Sequence, residues 1–185
     1  MKRQQTLGYT YPMARNIEIK TRIANIAALI PILESLSHTA PIDISQDDTF
    51  FACENGRLKL RAFPDGSGQL IFYRRANQLG PKESFYVLSS TAAPDALREV
   101  LAYSNGKIGR VEKQRTLYQC GRTRVHLDRV KNLGDFLELE VVLVENETAA
   151  KGQAEAQQLM AKLGIQTEQL IECAYLDLLA AKNHM

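Results

Sequence analysis

The chain has 185 residues, 45% of them hydrophobic and 24% charged, with a net charge of +2. That size suits one globular domain whose core is large enough to fold without disulfides or a structural metal. So small a net charge leaves no general basic surface for nucleic acid, and any anion site must come from local clustering of Lys and Arg.

Three widely spaced cysteines, Cys53, Cys120 and Cys173, show no zinc-like spacing and read as reduced, mostly apolar residues of a cytoplasmic protein. No stretch approaches the ~18 apolar residues of a membrane span, and the N-terminal segment lacks the apolar run of a secretory signal. Residues 1–13 are expected to form a flexible tail ahead of a single domain over residues 14–182.

In chain order, Ala14–Ile23 alternates Ile17 and Ile19 against Glu18, Lys20 and Arg22, a period of two that predicts a strand. A helical stripe of Leu29, Ile30, Leu33 and Leu36 follows over Ile26–Ser37, with Pro31 either kinking it or marking its first turn. Strands are predicted over Asp43–Cys53, Arg57–Phe63, Gln69–Arg75 and Ser84–Ser89, separated by turns at Asn55-Gly56 and Asp65-Gly66 and a loop at Gln78–Pro81. Pro94–Tyr103 reads as a helix, with Thr91 as its cap and Asn105-Gly106 as its stop. A meander of Ile108–Tyr118, Arg122–Val130 and Phe136–Val144 comes next, then helices over Thr148–Leu163 and Thr167–Lys182. The second of these places Leu170, Ile171, Ala174 and Leu178 on one stripe. Many short strands with few long helices predict an antiparallel barrel or sandwich with helices outside, an α+β fold.

On strand after strand one face is apolar and the other is charged. The charged faces either point to water around a sandwich core, or line a wet interior while the apolar faces pack under helices. Three features favour the closed, charged lumen: the amphipathic helices need an apolar surface to cover, the charges recur at i and i+2 on separate strands, and both signs occur. Lys20, Arg22, Lys59, Arg61, Arg75, Lys82, Lys113, Arg115 and Arg124 are nine bases against four acids, Glu18, Asp128, Glu138 and Glu140, leaving +5. Such a cavity is strained by repulsion on its own and matched to a triphosphate.

These residues resemble the CYTH superfamily, the triphosphate tunnel metalloenzymes, and within it the class IV adenylate cyclase branch. The resemblance runs from an ExExK-like strand, Asn16-Ile17-Glu18-Ile19-Lys20, in which Asn16 replaces the first Glu. It continues through QDDTFF, GRLKLR, LIFYRR, GPKES, VEKQR, TRVHLD, LGDFLELE and AYLDLL, covering about Ala14 to Leu179. It implies an eight-stranded antiparallel tunnel binding triphosphates with Mg2+ or Mn2+. Glu18, Glu138 and Glu140 match the family's metal-binding acids, and Asp128 sits where the branch also carries an acid and is grouped with them. Lys20, Lys59, Arg61, Arg75, Lys113, Arg115 and Arg124 match the phosphate-binding bases, with Lys20, Arg61 and Lys113 expected at the reaction centre. Asn16 removes one carboxylate from the metal site.

The chemistry of these side chains agrees with those roles. Arg pairs bidentately with phosphate oxygens, Lys acts as a point charge, and carboxylates at i and i+2 point the same way and can share a metal's shell. His126 shares strand parity with Arg124 and Asp128 and either contacts phosphate or is a hydrogen-bonded structural residue. Lys82 and Ser84 either close over a nucleotide or form a solvated turn. Tyr73 and Tyr118 read as packing aromatics, Arg57 as a rim charge, and Asp47 and Asp48 as surface residues, with an internal salt bridge open to one of the two. The leading expectation is conversion of ATP to cyclic AMP and pyrophosphate. The alternatives are a triphosphatase acting on tripolyphosphate or thiamine triphosphate, and a module that binds nucleotide or polyphosphate without turnover. The partner is then a small molecule, with neither nucleic acid nor membrane, and the oligomeric state is open between monomer and homodimer.

Overall fold

The computed structural model describes residues 14–75 and 80–183; the predicted N-terminal tail lies outside them. In chain order the elements are β1 (Ala14–Arg22), α1 (Ile30–Leu36), β2 (Ile42–Phe51), β3 (Arg57–Ala62), β4 (Gly68–Arg75), β5 (Lys82–Thr91), α2 (Pro94–Asn105), β6 (Lys107–Cys120), β7 (Thr123–Val130), β8 (Gly134–Val142), α3 (Ala149–Lys162) and α4 (Tyr175–Asn183). The sheet order is β1-β5-β4-β3-β2-β6-β7-β8, and it closes because β1 pairs on both sides. One edge of β1 meets β5 from Ala14↔Tyr86 to Glu18↔Lys82, and the other meets β8 from Asn16↔Val142 to Arg22↔Phe136. All eight ladders are antiparallel, and each described strand pairs with a neighbour on both sides.

Alternation along each strand sorts the side chains. Ile17, Ile19, Val125, Leu127, Leu137, Leu139 and Val141 are buried on the outside of the barrel beneath helices. α1 contributes Leu33 to that outer core and α3 contributes Leu159 and Met160. α3 lies close enough on the sheet that a Cβ at Gly152 would come 2.6 Å from Leu143 and 2.7 Å from Ile17, which explains a glycine inside this helix. The opposite parity faces inward and carries the charges, so the closed lumen replaces the sandwich alternative. Pro31 falls in the first turn of α1, behind a short 3-10 turn at Ile26–Ala28. No described helix is long and apolar enough to cross a membrane.

The C-terminal region departs from the predicted helix over Thr167–Lys182. A 3-10 turn at Thr167–Gln169 is followed by an extended segment, and α4 begins at Tyr175. The supposed stripe divides between two cores: Leu170 packs in the outer cluster, whereas Ile171 packs against an inner cluster of Phe50, Val111, Val130, Leu133, Phe136 and Tyr175. The backbone is held to the end of β1. Ile171 N–H donates to Lys20 O at 2.8 Å, Thr21 Oγ1 donates to Gln169 O at 3.0 Å, and Thr21 bridges Leu170. The chain therefore closes one end of the barrel and inserts Tyr175 into it.

A candidate anion and metal site inside the barrel

A cavity of about 380 Å3 occupies the barrel, lined by inward residues of all eight strands together with Ala174 and Tyr175. Apart from Lys20, its basic side chains come from two neighbouring strand pairs, β2–β3 and β6–β7, joined by the β2–β6 ladder. In the first cluster, Asp48 of β2 lies across the ladder from Arg61 of β3. Arg61 donates to its carboxylate through Nε and Nη2 at 2.7 and 2.8 Å, and Lys59 Nζ donates at 2.7 Å. Asp48 is 2% exposed. Burial alone raises its pKa, but Arg61 and Lys59 outweigh burial and hold it well below the usual carboxylate range.

In the second cluster, Asp128 of β7 has no exposed surface. It accepts from Lys113 Nζ at 2.8 Å, from Arg115 Nε and Nη2, each at 2.6 Å, and from Tyr175 Oη at 2.9 Å. Burial again opposes ionisation, and Arg115 and Lys113 again overcome it. Asp128 shares Arg115 Nη2 with Glu138. Both of its oxygens are engaged, so it anchors the two bases.

Glu138 and Glu140 project inward from β8. Glu138 sits 3.2 Å from Lys20 Nζ and hydrogen-bonds Arg115, and it is held below the usual carboxylate range because Lys20, Lys113 and Arg115 outweigh burial. Glu140 pairs with Arg124 at 2.9 Å, yet burial raises its pKa, reinforced by Glu18 and Glu138. Burial, with Arg115, pushes His126 well below 6.5, so the imidazole is neutral near pH 7. Lys20 Nζ also donates to Cys173 O at 3.3 Å and lies 3.9 Å from the centroid of the Tyr175 ring.

Among the described residues, four buried polar atoms on cavity-lining side chains lack a hydrogen-bond partner: Asn16 Oδ1, Gln46 Oε1, Arg124 Nε and His126 Nδ1. Such groups are costly unless a ligand completes them. The carboxylate and imidazole donors lie within 4.8 Å of one another, a donor set that fits a divalent cation.

Among the described side chains the lumen holds six bases (Lys20, Lys59, Arg61, Lys113, Arg115, Arg124) and five acids (Glu18, Asp48, Asp128, Glu138, Glu140), a net +1. Over the same described residues the sequence expectation is seven bases and four acids, +3, and the difference comes from Asp48 and Arg22. Asp48 joins the lumen, and Arg22 leaves it, exposed and donating to Leu133 O with its guanidinium over the Phe136 ring. Ser84, 4% exposed, lies inside β5 across from Asn16 and lines the cavity, so it is not in a solvated turn. The backbones of Arg75 and Lys82 end β4 and begin β5, and their side chains lie outside the described residues. Arg57 is a rim charge as expected, paired bidentately with Asp177 of α4. Tyr118 packs in the outer core, whereas Tyr73 borders the cavity with Lys59 Nζ 5.7 Å from its ring centroid.

Asp48 is the one of the two adjacent aspartates that takes the internal salt bridge left open to them, and Tyr86 and Tyr175 are lumen residues without an expected role. Parity offered a signal for Asp48: of two adjacent aspartates on a strand, only one can face out. Asp47 does so, pairing with Arg110 and Arg98.

Burial first, and then Arg61, lower Lys59 to about 8, with Asp48 acting in the opposite sense. Its charge is present below that pH and lost above it. Tripolyphosphate affinity is expected to fall as pH rises through about 8, by up to ~10-fold per pH unit. A Lys59→Arg variant, permanently charged, is expected to show a flatter profile by calorimetric titration between about pH 7 and 9.5. Superimposable profiles would place Lys59 outside the binding equilibrium.

The CYTH domain profile matches residues 14–175. A sequence comparison with curated proteins returned no match. Among solved structures, the PH1012 protein of Pyrococcus horikoshii superposes with a TM-score of 0.78 at 22% identity, covering 88% of this chain and 98% of that one. A candidate adenylate cyclase from Vibrio parahaemolyticus gives 0.72 at 18% identity, covering 89% and 97%. A candidate adenylyl cyclase from Hippeastrum, described as having a dominant triphosphatase activity, gives 0.61 at 16% identity, covering 90% and 96%.

Proposed function

Because the chain belongs to the CYTH domain family, we propose that it is a metal-dependent enzyme acting on the triphosphate of ATP, forming cyclic AMP and pyrophosphate. The observation that carries this reading is the convergence of Lys59 and Arg61 of β3, Lys113 and Arg115 of β6 and Arg124 of β7 on one cavity that also holds the carboxylates of β8.

The ribose 3′-oxygen attacks the α-phosphorus, the new O–P bond forms, the bond to the β-phosphate oxygen breaks, and the hydroxyl proton is released. Negative charge grows on the leaving pyrophosphate, and Arg61 and Arg115 present forked donors to it while Lys59 and Lys113 supply point charges. Asp48 and Asp128 hold these bases in place before substrate arrives, so little reorganisation is needed during reaction. Glu18, Glu138 and Glu140 would hold a divalent cation, which supplies charge neutralisation and acidifies a coordinated hydroxyl. Far from Tyr175, the apolar side chains Ile44, Phe63, Leu88 and Leu117 line the cavity, a surface suited to an adenine ring and without use for bare tripolyphosphate.

Hydrolysis of the terminal phosphate is the second reading. It is favoured by Lys20 and Lys113, which continue the basic lining to the closed end beside Tyr175, where a terminal phosphorus would sit. Incubation of the purified protein with ATP or tripolyphosphate and Mg2+ or Mn2+ separates the two. Cyclic AMP and pyrophosphate support the first, and orthophosphate the second. Tight binding with neither product would overturn both.

A further inference from the structure

We infer that His126 is a metal ligand and that, with Glu138 and Glu140, it forms a mixed nitrogen–oxygen site favouring a transition divalent ion, Mn2+, over Mg2+. This rests on the metal-dependent reading above and specifies its metal site. His126 is 4% exposed, and its Nδ1 makes no hydrogen bond. That atom lies 3.7 Å from Glu140 Oε1 and 4.0 Å from Glu138 Oε2. Both separations are too long for a hydrogen bond. Both fall within the ~4.2 Å that separates two ligand atoms on opposite sides of one ion at ~2.1 Å from each. A cation between them satisfies the orphaned nitrogen.

The donors are fixed by the barrel rather than by a loop. His126 and Glu138 are direct partners in the β7–β8 ladder, and Glu140 follows at i+2 on the same face. β1 adds one carboxylate, Glu18, and an amide, Asn16, whose buried Oδ1 also has no partner. With fewer anionic oxygens on this wall, the imidazole carries a larger share of the coordination. Imidazole suits Mn2+ and later first-row ions better than Mg2+, which prefers all-oxygen shells and keeps its waters.

The test uses metal-free full-length protein titrated with Mn2+ and followed by electron paramagnetic resonance, with Mg2+ measured by competition. Wild-type protein is expected to bind Mn2+ at least ~10-fold more tightly than Mg2+. Its pulsed spectrum should carry 14N modulation from a coordinated imidazole. His126→Ala should abolish that modulation and weaken Mn2+ by ~10- to 100-fold, with Mg2+ changed less than about threefold. Circular dichroism checks that the variant is folded, and the wild-type spectrum gives its answer even if it is not. Tight Mn2+ binding without 14N modulation, or with affinity indifferent to His126→Ala, would overturn the inference and leave the proposed activity standing. Failure of wild-type protein to bind either ion would remove the metal-dependent reading itself.

Discussion

Asp128→Ala is expected to lower Tm by roughly 10 °C and to abolish measurable triphosphate binding. The carboxylate is wholly buried and accepts from Lys113, twice from Arg115, and from Tyr175. Removing one partner of a buried ion pair costs about 3–5 kcal/mol, because the remaining charges stay buried without compensation. For a chain of this size each kcal/mol moves Tm by about 2–4 °C. Glu138 still receives Arg115, which limits the loss. Binding fails for a separate reason: Lys113, Arg115 and the Tyr175 plug are all positioned by this one side chain. Asp128→Asn, which keeps the shape but not the charge, should fall between.

Acidification should act on the same groups. The pKa values of Asp48 and Asp128 are depressed in the fold, so their stabilisation is fully present above the unfolded value near 4 and is lost as pH falls below it. Thermal melts between about pH 2.5 and 7 should show wild-type Tm dropping steeply below pH 4, with a shallower drop in Asp128→Ala. A variant that melts with the wild type at neutral pH would mean that this network does not hold the barrel together.

Arg61→Ala is expected to weaken triphosphate binding by at least ~100-fold while leaving the protein folded. Its two donors and fixed charge correspond to about 1.5–3 kcal/mol per charged hydrogen bond to phosphate. The structural cost is smaller than at Asp128, since Asp48 retains Lys59 at 2.7 Å. Arg61→Lys keeps the charge but loses the fork and should sit nearer ~10-fold. Equilibrium binding of tripolyphosphate, read beside a thermal melt, separates the two effects. Unchanged binding in a folded Arg61→Ala protein would show that the Asp48 pair is structural only.

The barrel was legible because a period of two in charge is hard to produce by chance on strand after strand, and the register confirms which parity faces inward. Lys20, Lys59, Arg61, Lys113, Arg115, Arg124, Glu138 and Glu140 all line the cavity as their strand parity required. What stayed hidden depends on pairing across the sheet, which no single strand encodes. Asp48 looks like a surface residue until β2 is laid against β3 and Arg61 is found opposite it. Tyr175 was hidden by its own neighbours: Leu170, Ile171, Ala174 and Leu178 mimic a helical stripe, yet they divide between the outer core and the inner end of the barrel. Asp48 was missing from the expected lumen charge for the same reason, since its partners lie on another strand.

A crystal structure of the protein with Mn2+ and a non-reactive ATP analogue tests the central claim most directly. The account predicts the triphosphate inside the barrel, with its oxygens within hydrogen-bonding distance of Arg61 and Arg115 and the ion on the Glu138 and Glu140 wall. A triphosphate bound on the outer surface, with the Asp48 and Asp128 pairs undisturbed and no ligand in the lumen, would contradict it.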